Sequence, residues 1–202
     1  MQFKKSFTLF TLIFIINTIQ AATLKKYSKG ATINGKAINS SVKLTQNDRL
    51  EAIGKKEYFI VEYDDGSKFF VRNGKLIIEE LKENHIRKES LFSLISGFFV
   101  SFINPKSEHK FRIKSRDSII GVRGTKFLVD SSDKKLYLCV CEGEVEASSK
   151  GRFISVTKGM DLIIEKDSSK KLKVTRANDQ MWQMAVDGFK ELDISIPSGL
   201  NK

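Results

Sequence analysis

Hydrophobic and polar residues alternate in short stretches along most of this chain, and turn-forming residues separate the stretches. In Glu57 to Tyr63, for example, Phe59, Val61 and Tyr63 fall on one side of an extended chain. A period of two is the pattern of a strand with one buried face. Such stretches recur about every ten residues, which is typical of a sandwich or roll. The pattern predicts an all-β fold, a twisted β-sandwich or β-roll of about twelve short antiparallel strands.

Turn chemistry predicts where these strands reverse. Asn34-Gly35 lies between two β-prone runs and is the strongest short signal for a hairpin. Asp64 to Ser67 and Asn73-Gly74 predict two further reversals, the second leading into a strand from Lys75 to Leu81. The other predicted strands are Asp48–Ile53, Lys68–Arg72, Lys126–Asp130, Lys135–Glu142, Glu144–Ser148, Arg152–Val156, Asp161–Glu165 and Leu172–Thr175.

Side-chain parity changes within this series. Leu136 and Val140 share one face, whereas Val145 and Ala147 have the opposite parity. A bulge or a tight bend produces a one-residue slip of this kind. The sequence places that irregularity at Gly143.

The most apolar stretch after the N-terminus is Leu91 to Ile103, LFSLISGFFVSFI. Its length and composition predict a buried strand, or a short helix and then a strand, with a break at Gly97. A hydrophobic surface for a partner or a membrane is the alternative. Asn104-Pro105 ends the stretch, because proline cannot continue a ladder of hydrogen bonds between strands.

The hydrophobic period becomes that of a helix from Ala177 to Leu192, with Asn178 as N-cap and Asp179 in the first turn. One helical face carries Met181, Met184, Ala185, Phe189 and Leu192. We expect an amphipathic helix over residues 177–193 that packs across an open end of the β-domain. A partner-binding helix is the alternative, and residues 194–202 are expected to form a flexible tail.

Residues 1–21 have the composition of a secretory signal peptide. Lys4 and Lys5 precede an apolar core, Phe7–Ile19, and a small residue precedes the predicted cleavage before Ala22. These thirteen residues fall short of the ~20 that a membrane-spanning helix needs, with an uncleaved anchor as the alternative. The sequence predicts an exported β-domain, residues 22–176, in the periplasm or outside a Gram-negative-type cell. No stable membrane span would remain after cleavage.

Ser115 to Val129, SRDSIIGVRGTKFLV, is expected to form a corner between two strands. Gly121 and Gly124 would allow positive φ or close backbone approach, where a Cβ would clash. Arg123 should be fixed in direction, and it needs a carboxylate or carbonyl partner if it is covered. We interpret this corner as structural. An anion-binding nest that includes Arg123 is the alternative.

Three motifs resemble those of the FecR domain family. Gly121–Phe127 (GVRGTKF) resembles the GVRGT-x-F signature, Val140–Val145 (VCEGEV) resembles V-x-E-G-x-V, and Val61–Ser67 (VEYDDGS) resembles L-x-D-G-S. The resemblance covers roughly Lys26 to Glu165. It implies an all-β periplasmic domain with a regulatory role. The structural signature comprises Gly121, Val122, Arg123, Gly124, Thr125, Phe127, Glu142, Gly143 and Val145.

FecR proteins of the best-known kind cross the inner membrane and carry a cytoplasmic segment that controls a sigma factor. Six residues precede the apolar core of this sequence, too few for such a segment. We therefore expect a FecR-like protein that lacks the sigma-regulator segment, and the sequence argues against direct control of a sigma factor.

Cys139 and Cys141 lie two apart in a predicted strand, so both thiols leave the same face. Their Cα atoms would lie ~6.6 Å apart, whereas a disulfide requires Cβ atoms at about 3.8 Å. Three interpretations are open: burial, a disulfide within a bent strand or between molecules, or a metal, haem or redox site. Two thiols on one face could bind Zn²⁺ or Cu(I), and the missing ligands would have to be His85 and His109.

The 35 basic and 24 acidic residues give a net charge of +11, or +9 without Lys4 and Lys5. The two kinds of charge are interleaved and no basic block occurs, so nucleic acid is not an expected partner. Attraction to an anionic envelope polymer is one interpretation of the charge. An ordinary solvated, lysine-rich surface is the other.

Hydrolase and transferase motifs are absent, and two histidines offer little acid–base chemistry. We predict a non-enzymatic protein-binding or signal-relay module without a cofactor. Another envelope protein would contact its helix, a sheet edge or a surface. The alternatives are a thiol-based metal, haem or redox site at Cys139 and Cys141, and a basic adhesion or matrix protein that binds anionic glycan.

Overall fold

A computed structural model describes residues 22–83, 88–165 and 172–196. The predicted signal peptide, His85 and the last six residues of the predicted tail lie outside the described residues. Within them the chain is mostly β with one C-terminal helix, so the predicted all-β class is confirmed.

Sixteen strands and one helix make up the described chain. The first eight strands are β1 (Thr23–Tyr27), β2 (Thr32–Ile33), β3 (Lys36–Ala37), β4 (Val42–Lys43), β5 (Arg49–Ala52), β6 (Tyr58–Glu62), β7 (Lys68–Glu83) and β8 (Lys88–Phe102). The others are β9 (Lys110–Ser115), β10 (Ser118–Val122), β11 (Lys126–Ser131), β12 (Lys135–Glu142), β13 (Glu144–Ser149), β14 (Arg152–Thr157), β15 (Met160–Glu165) and β16 (Lys173–Arg176), followed by the helix α1 (Asp179–Glu191).

The two longest strands, β7 and β8, bend together near their middles. The predicted reversal at Asn73-Gly74 is wrong: β7 continues through both residues and only its register against β8 shifts. A Cβ on Gly97 of β8 would lie 2.3 Å from the Cα of Gly74. Because β8 pairs with β7 on both sides of this point, Asn-Gly bends a strand here instead of ending it. The predicted strand over Leu91–Ile103 lies in β8 as far as Phe102, and regular geometry breaks at Gly97 as predicted, where φ is +105°.

This bend divides the sheet into two halves. Before the bend β7 pairs with β6, and after it with β5. Likewise β8 pairs with β9 through Glu89–Ser93 and with β11 through Gly97–Phe102. The first half therefore contains β1, β4, β6, β11, β12, β15 and β16, and the second contains β2, β3, β5, β9, β10, β13 and β14.

An aromatic cluster forms the centre of the main core and joins the two halves. The ring of Phe69 lies 5.4 Å from Phe99, 5.2 Å from Phe92 and 5.3 Å from Phe111, measured between centroids. All four side chains are buried. Aromatic pairs of this kind add about 0.5–1.5 kcal/mol each beyond the burial of their area. Phe69 and Phe99 come from the first half and Phe92 and Phe111 from the second, so the cluster packs one half on the other.

The helix begins at its predicted cap. The side chain of Asn178 accepts a hydrogen bond from the backbone N–H of Met181 at 2.9 Å, and Asp179 occupies the first turn. The expectation that this helix covers an open end of the β-domain is wrong. It packs on the outer face of the first half, and a Cβ on Gly188 would lie 2.4 Å from Cγ2 of Val100 in β8.

The physical reason for this position is a second set of apolar side chains. The central strands of the first half are apolar on both faces, so their outer face needs a cover as well. The second core contains Ile60, Phe70, Phe98, Val100, Leu128, Tyr137, Cys139 and Cys141 from the strands, with Ala185, Phe189 and Leu192 from the helix side.

Candidate protein-binding site

The predicted corner lies where the chain passes from the second half of the sheet, in β10, to the first half, in β11. Gly124 has a φ of +60°, and a Cβ there would lie 3.2 Å from the Cα of Pro105. Glycine is therefore favoured at this position, as expected. Gly121 differs from the expectation, because a Cβ there would meet the carbonyl oxygen of Glu146 at 3.8 Å, an ordinary contact within a regular strand.

The return from the first half to the second lies beside this corner. Gly143, between β12 and β13, has a φ of +84°. A Cβ on Gly143 would lie 2.8 Å from Cγ2 of Thr125 and 3.1 Å from the carbonyl oxygen of Gly124. The predicted bend at Gly143 is confirmed, and its cause is the change of sheet half. Two motifs that lie apart in the sequence therefore touch in the fold.

The third motif reaches the same place through the loop after β8. The carboxylate of Asp65 accepts the backbone N–H of Ser67 at 2.7 Å. The backbone N–H of Asn104 donates to Oγ of Ser67 at 3.1 Å, and its side-chain amide donates to the carbonyl of Asp65. The next residue, Pro105, is the neighbour of Gly124. All three motifs thus gather at one end of the sandwich.

The other signature residues divide between the core and the surface. Val122, Phe127 and Val145 are buried, and Val122 pairs with Val145 between β10 and β13. Glu142 is exposed and forms an ion pair with Lys126 at 2.8 Å. In the structure, the signature residues therefore serve mainly in core packing and in close backbone contacts.

Arg123 lies at the exposed tip of the corner. Its guanidinium makes no hydrogen bond or ion pair with the part of the chain that the structure describes. An exposed arginine can donate its five N–H groups to water. Arg123 therefore does not need the carboxylate or carbonyl partner that a covered arginine would require. The group is accessible to another molecule.

Cys139 and Cys141 lie on one face of β12, as predicted, and α1 covers that face. Both are free, and 0% and 1% of their surface is exposed, which agrees with the interpretation as burial. A hydrogen bond with Cys141 and burial raise the pKa of the Cys139 thiol. This disfavours the thiolate, the form that binds metals and attacks disulfides.

The described residues give these thiols no further metal ligands. In the stretches 22–83, 88–165 and 172–196, no three His, Cys, Asp or Glu side chains are arranged to hold a metal ion. His109 lies against Phe111 in the main core, with ring centroids 4.5 Å apart. His85 lies outside the described residues.

A buried tyrosine–carboxylate pair beside the thiols was missed by sequence reasoning. Tyr137 donates its hydroxyl to Asp161, which also accepts the backbone N–H of Asn178 at 3.1 Å. Burial, and then the bond to Asp161, raise the pKa of Tyr137. Asp161 is 2% exposed, so this carboxylate connects β12, β15 and the start of α1. The sequence offered no signal, because Asp161 reads as the polar first residue of a strand.

A second buried polar chain lies beside a cleft of about 230 Å³. Tyr63 donates to Oγ of Ser90 at 2.9 Å, and this oxygen lies 2.8 Å from Nε2 of His109. Burial lowers the pKa of His109. A serine beside a histidine is the arrangement of a nucleophile and its base, but Ser90 is 0% exposed. A substrate has no access to this hydroxyl, and we interpret the chain as structural.

β14 presents the longest free edge among the described strands. Four of these strands pair on one side only, namely β3, β4, β14 and β16. β14 has six residues, and the others have two, two and four. Lys173 and Arg176 lie on β16, and such charges protect an edge from pairing. β14 has a single charged residue, Arg152 at its start, and carries Phe153, which is 72% exposed.

Phe153 has an exposed apolar neighbour on the same face. The register places Phe153 opposite Ser148 on β13, and Ser148 opposite Ile119 on β10. Opposed residues lie on the same face of a sheet, and Ile119 is 41% exposed. We call β14 together with the row Ile119, Ser148 and Phe153 the β14 edge. The sequence predicted this strand but not its place at the edge of the sheet.

Comparison with known proteins identifies the family of this chain. A family model described as FecR protein matches residues 39–146, more than half of the chain. The chain belongs to the FecR family. All three motifs lie within the match. FecR proteins are regulatory, generally non-enzymatic and typically associated with the cell envelope. The described part of this FecR protein contains no helix long and apolar enough to cross a membrane.

Two crystal structures share the fold of this FecR protein. Both come from Parabacteroides distasonis, are described as candidate anti-sigma factors and are 14% identical to this chain. The structure at 1.65 Å has a TM-score of 0.56 and covers 70% of this chain and 65% of its own. The structure at 2.50 Å has a TM-score of 0.53, with coverage of 64% and 60%. The chain thus spans less than two thirds of either protein, and this likeness shows the fold alone. No curated protein matches the chain.

Proposed function

We propose that this FecR protein is a non-enzymatic protein-binding and signal-relay module of the cell envelope, and that it binds its partner through the β14 edge. The observation that carries the proposal is a six-residue strand that pairs with only one other described strand, β13, and that carries Phe153 with 72% of its surface exposed. The backbone N–H and C=O groups of an edge strand can pair with an extended segment of another protein. Phe153 and Ile119 would select an apolar side chain on that segment.

The signature residues support this proposal as a framework for the edge. Gly124 and Gly143 lie at two of the places where the chain passes between the sheet halves, from β10 to β11 and from β12 to β13, and the side chain of Thr125 lies against Gly143. β10 and β13 leave these passages and lead directly to β14 in the sheet order. The motifs would therefore set the position of the edge, and Arg123 would remain available for a contact of its own.

The proposal places the protein in the periplasm or outside the cell with residues 1–21 removed. The charged start and apolar core of that segment support it. Mass spectrometry of protein from the periplasmic fraction should give a chain that begins at Ala22. Recovery of the chain from the cytosol with Met1 attached would contradict this location.

The two alternative functions have less support. Burial of both thiols under α1 disfavours a reactive or metal-binding site at Cys139 and Cys141. Binding to an anionic polymer rests on net charge alone. The described surface mixes acidic and basic side chains, as in the ion pair of Lys75 with Glu51 at 3.2 Å.

Photo-crosslinking in the producing bacterium tests the proposed edge. A photoreactive amino acid replaces Thr157, an exposed residue of β14, and in a second strain it replaces Thr175 on the opposite edge, β16. We expect a discrete adduct with an envelope protein from position 157 and none from position 175. Absence of an adduct at 157, or the same adduct from both positions, would contradict the proposal.

A matched pair of surface variants distinguishes pairing at the β14 edge from nonspecific hydrophobic binding. Phe153→Lys should abolish the adduct at position 157, because a charge on an edge strand opposes pairing. Ile163→Lys should leave the adduct unchanged, since Ile163 is 43% exposed on β15. An adduct that survives Phe153→Lys would show that the partner contacts another surface.

A further inference from the structure

His109 lies where three parts of the fold meet, and the cleft of about 230 Å³ opens beside it. It directly precedes β9 and is 7% exposed. Its ring packs on Phe111, and the ring of Tyr63 meets it edge-on with centroids 5.2 Å apart. Its backbone N–H donates to Oγ of Ser107 at 3.0 Å, and that hydroxyl donates to the carboxylate of Asp65. His109 therefore connects the loop after β8 with the turn that carries the third motif.

The hydrogen bonds at this ring run in one direction. Tyr63 donates its hydroxyl to Oγ of Ser90, so the single hydrogen of Ser90 points to Nε2 of His109 at 2.8 Å. Nε2 is then an acceptor, which requires a neutral imidazole. Ser90 is 0% exposed and Tyr63 is 5% exposed, so neither hydroxyl has open access to water.

Protonation of His109 is incompatible with this arrangement. Nε2 then carries a hydrogen and must donate it. Of the two hydroxyl hydrogens, on Tyr63 and Ser90, one is left without an acceptor among these three groups. A buried donor without a partner is unfavourable, and burial also opposes the positive charge, which lowers the pKa of His109. The imidazolium is therefore disfavoured in the core.

The cleft offers the imidazolium a more favourable position. The charged groups that face His109 come from the turn before β7, from the start of β8 and from the loop after β8, and they are Asp64, Asp65, Lys88, Glu89, Lys106 and Glu108. All except Glu89 line the cleft, so three carboxylates stand against two lysines there. Asp64 and Glu108 are exposed and form no ion pair within the described chain. Nearby carboxylates favour the charged form of a histidine.

We propose that His109 and the loop of residues 103–109 form an acid-sensitive switch, in which protonation moves the ring from the core into the cleft and loosens the loop from the corner at Gly124. At neutral pH the loop holds the corner closely. The Cα of Pro105 would lie 3.2 Å from a Cβ on Gly124, and the backbone N–H of Ile103 donates to the carbonyl of Thr125 at 2.8 Å. Acid would therefore loosen the passage that carries Arg123. The switch contains no residue of β14, so this inference does not depend on the proposed function.

An NMR titration of the isotope-labelled full chain tests the proposal. His85→Gln is included so that His109 is the one histidine left to titrate. We expect the ring to titrate below about pH 6.5, the ordinary value for histidine. Protection of the Ile103 and Ser107 amides against hydrogen exchange should fall about tenfold or more with the same midpoint, as in a local opening. Circular dichroism and the fluorescence of Trp182 on α1 should stay at their neutral values. Titration of the ring with unchanged protection, or unfolding of the whole protein at that midpoint, would overturn the inference.

Two charge variants give shifts of opposite sign, which misfolding cannot produce. Lys88→Gln removes a cation that lowers the pKa of His109, so the midpoint should rise. Glu108→Gln removes a carboxylate from the cleft, so the midpoint should fall. Each shift should be about 0.2–0.7 pH unit, which corresponds to the contribution of an exposed charge pair. If the two midpoints do not move in opposite directions, the ring does not enter the cleft and the inference is wrong.

The variant His109→Gln serves as the control for the loop. Glutamine can accept a hydrogen bond from Ser90 and does not titrate. The protection of Ile103 and Ser107 should therefore stay constant over the same pH range. A loss of protection that persists in this variant would assign the opening to another group and refute the switch.

Discussion

Replacement of Gly97 by alanine should destabilise the protein strongly, although it adds only one methyl group. Gly97 has a φ of +105°, and its added Cβ would lie 2.3 Å from the Cα of Gly74 and 2.6 Å from the carbonyl oxygen of Asn73. Both neighbours are backbone atoms of β7, so no side-chain rotation can relieve the contact. Relief requires β7 and β8 to move apart where the two halves of the sheet meet.

The magnitude follows from two contributions. A non-glycine residue with positive φ costs about 1–2 kcal/mol, and forced overpacking costs about 1–3 kcal/mol. Together they predict a loss of about 2–5 kcal/mol, a large share of the 5–15 kcal/mol that stabilises a typical domain. Gly35→Ala provides the matched control, because Gly35 has a φ of +75° with nothing within 4 Å of the added Cβ. This variant should lose only the first contribution.

Urea unfolding followed by circular dichroism measures both variants. The expected result is a lower midpoint for Gly97→Ala than for Gly35→Ala, with the dependence on urea unchanged. If Gly97→Ala loses no more than Gly35→Ala, the close approach of β7 and β8 does not exist in solution, and the division of the sheet at this bend is wrong.

Three further predictions concern Arg123, the thiols and His109. Arg123→Ala should change the free energy of unfolding by less than about 0.5 kcal/mol, because the side chain is exposed and unpaired within the described chain; a larger loss in urea unfolding would show that the guanidinium is structural. Cys139 and Cys141 should resist a thiol reagent in the folded protein and react fully in urea, since both are buried and the pKa of Cys139 is raised; rapid reaction without denaturant would show that α1 does not cover them. The free energy of unfolding should decrease as the pH falls below about 6.5, because the unfolded chain protonates His109 there, whereas burial and Lys88 lower the folded pKa against the smaller opposing effects of Asp65 and Glu89. His109→Gln should flatten that slope between about pH 7 and about pH 5, and an unchanged slope would assign it to other groups.

Local patterns predicted those parts of the fold that depend on neighbouring residues. Asn34-Gly35 forms a hairpin turn with φ of 53° and 75°, and the Asn178 cap starts the helix. The parity slip located the bend at Gly143. Side chains alternate along a strand, so a bend that changes the buried face shifts the apolar residues by one position in the sequence. The same-face placement of the two cysteines also follows from the period of a strand alone.

Predictions failed where the outcome depended on what lies across the fold. Asn73-Gly74 has turn chemistry, but β8 pairs with β7 on both sides and makes it a bend. The apolar face of α1 predicted that the helix packs on the β-domain, but it did not predict which surface of the domain it contacts. A strand that is apolar on both faces, such as β12, requires two layers of cover, and α1 supplies the outer one.

The sequence by itself determined the strands, most of their turns, the capped helix and the family motifs, because each depends on the periodicity and backbone preferences of adjacent residues. Only the tertiary structure decided that the three motifs meet at one end of the sandwich, that β14 is a free edge and that Tyr63, Ser90 and His109 meet beside one cleft. These are matters of strand order and register, which depend on contacts between residues far apart in the chain. Such contacts form only when the two halves of the sheet pack around their common aromatic core.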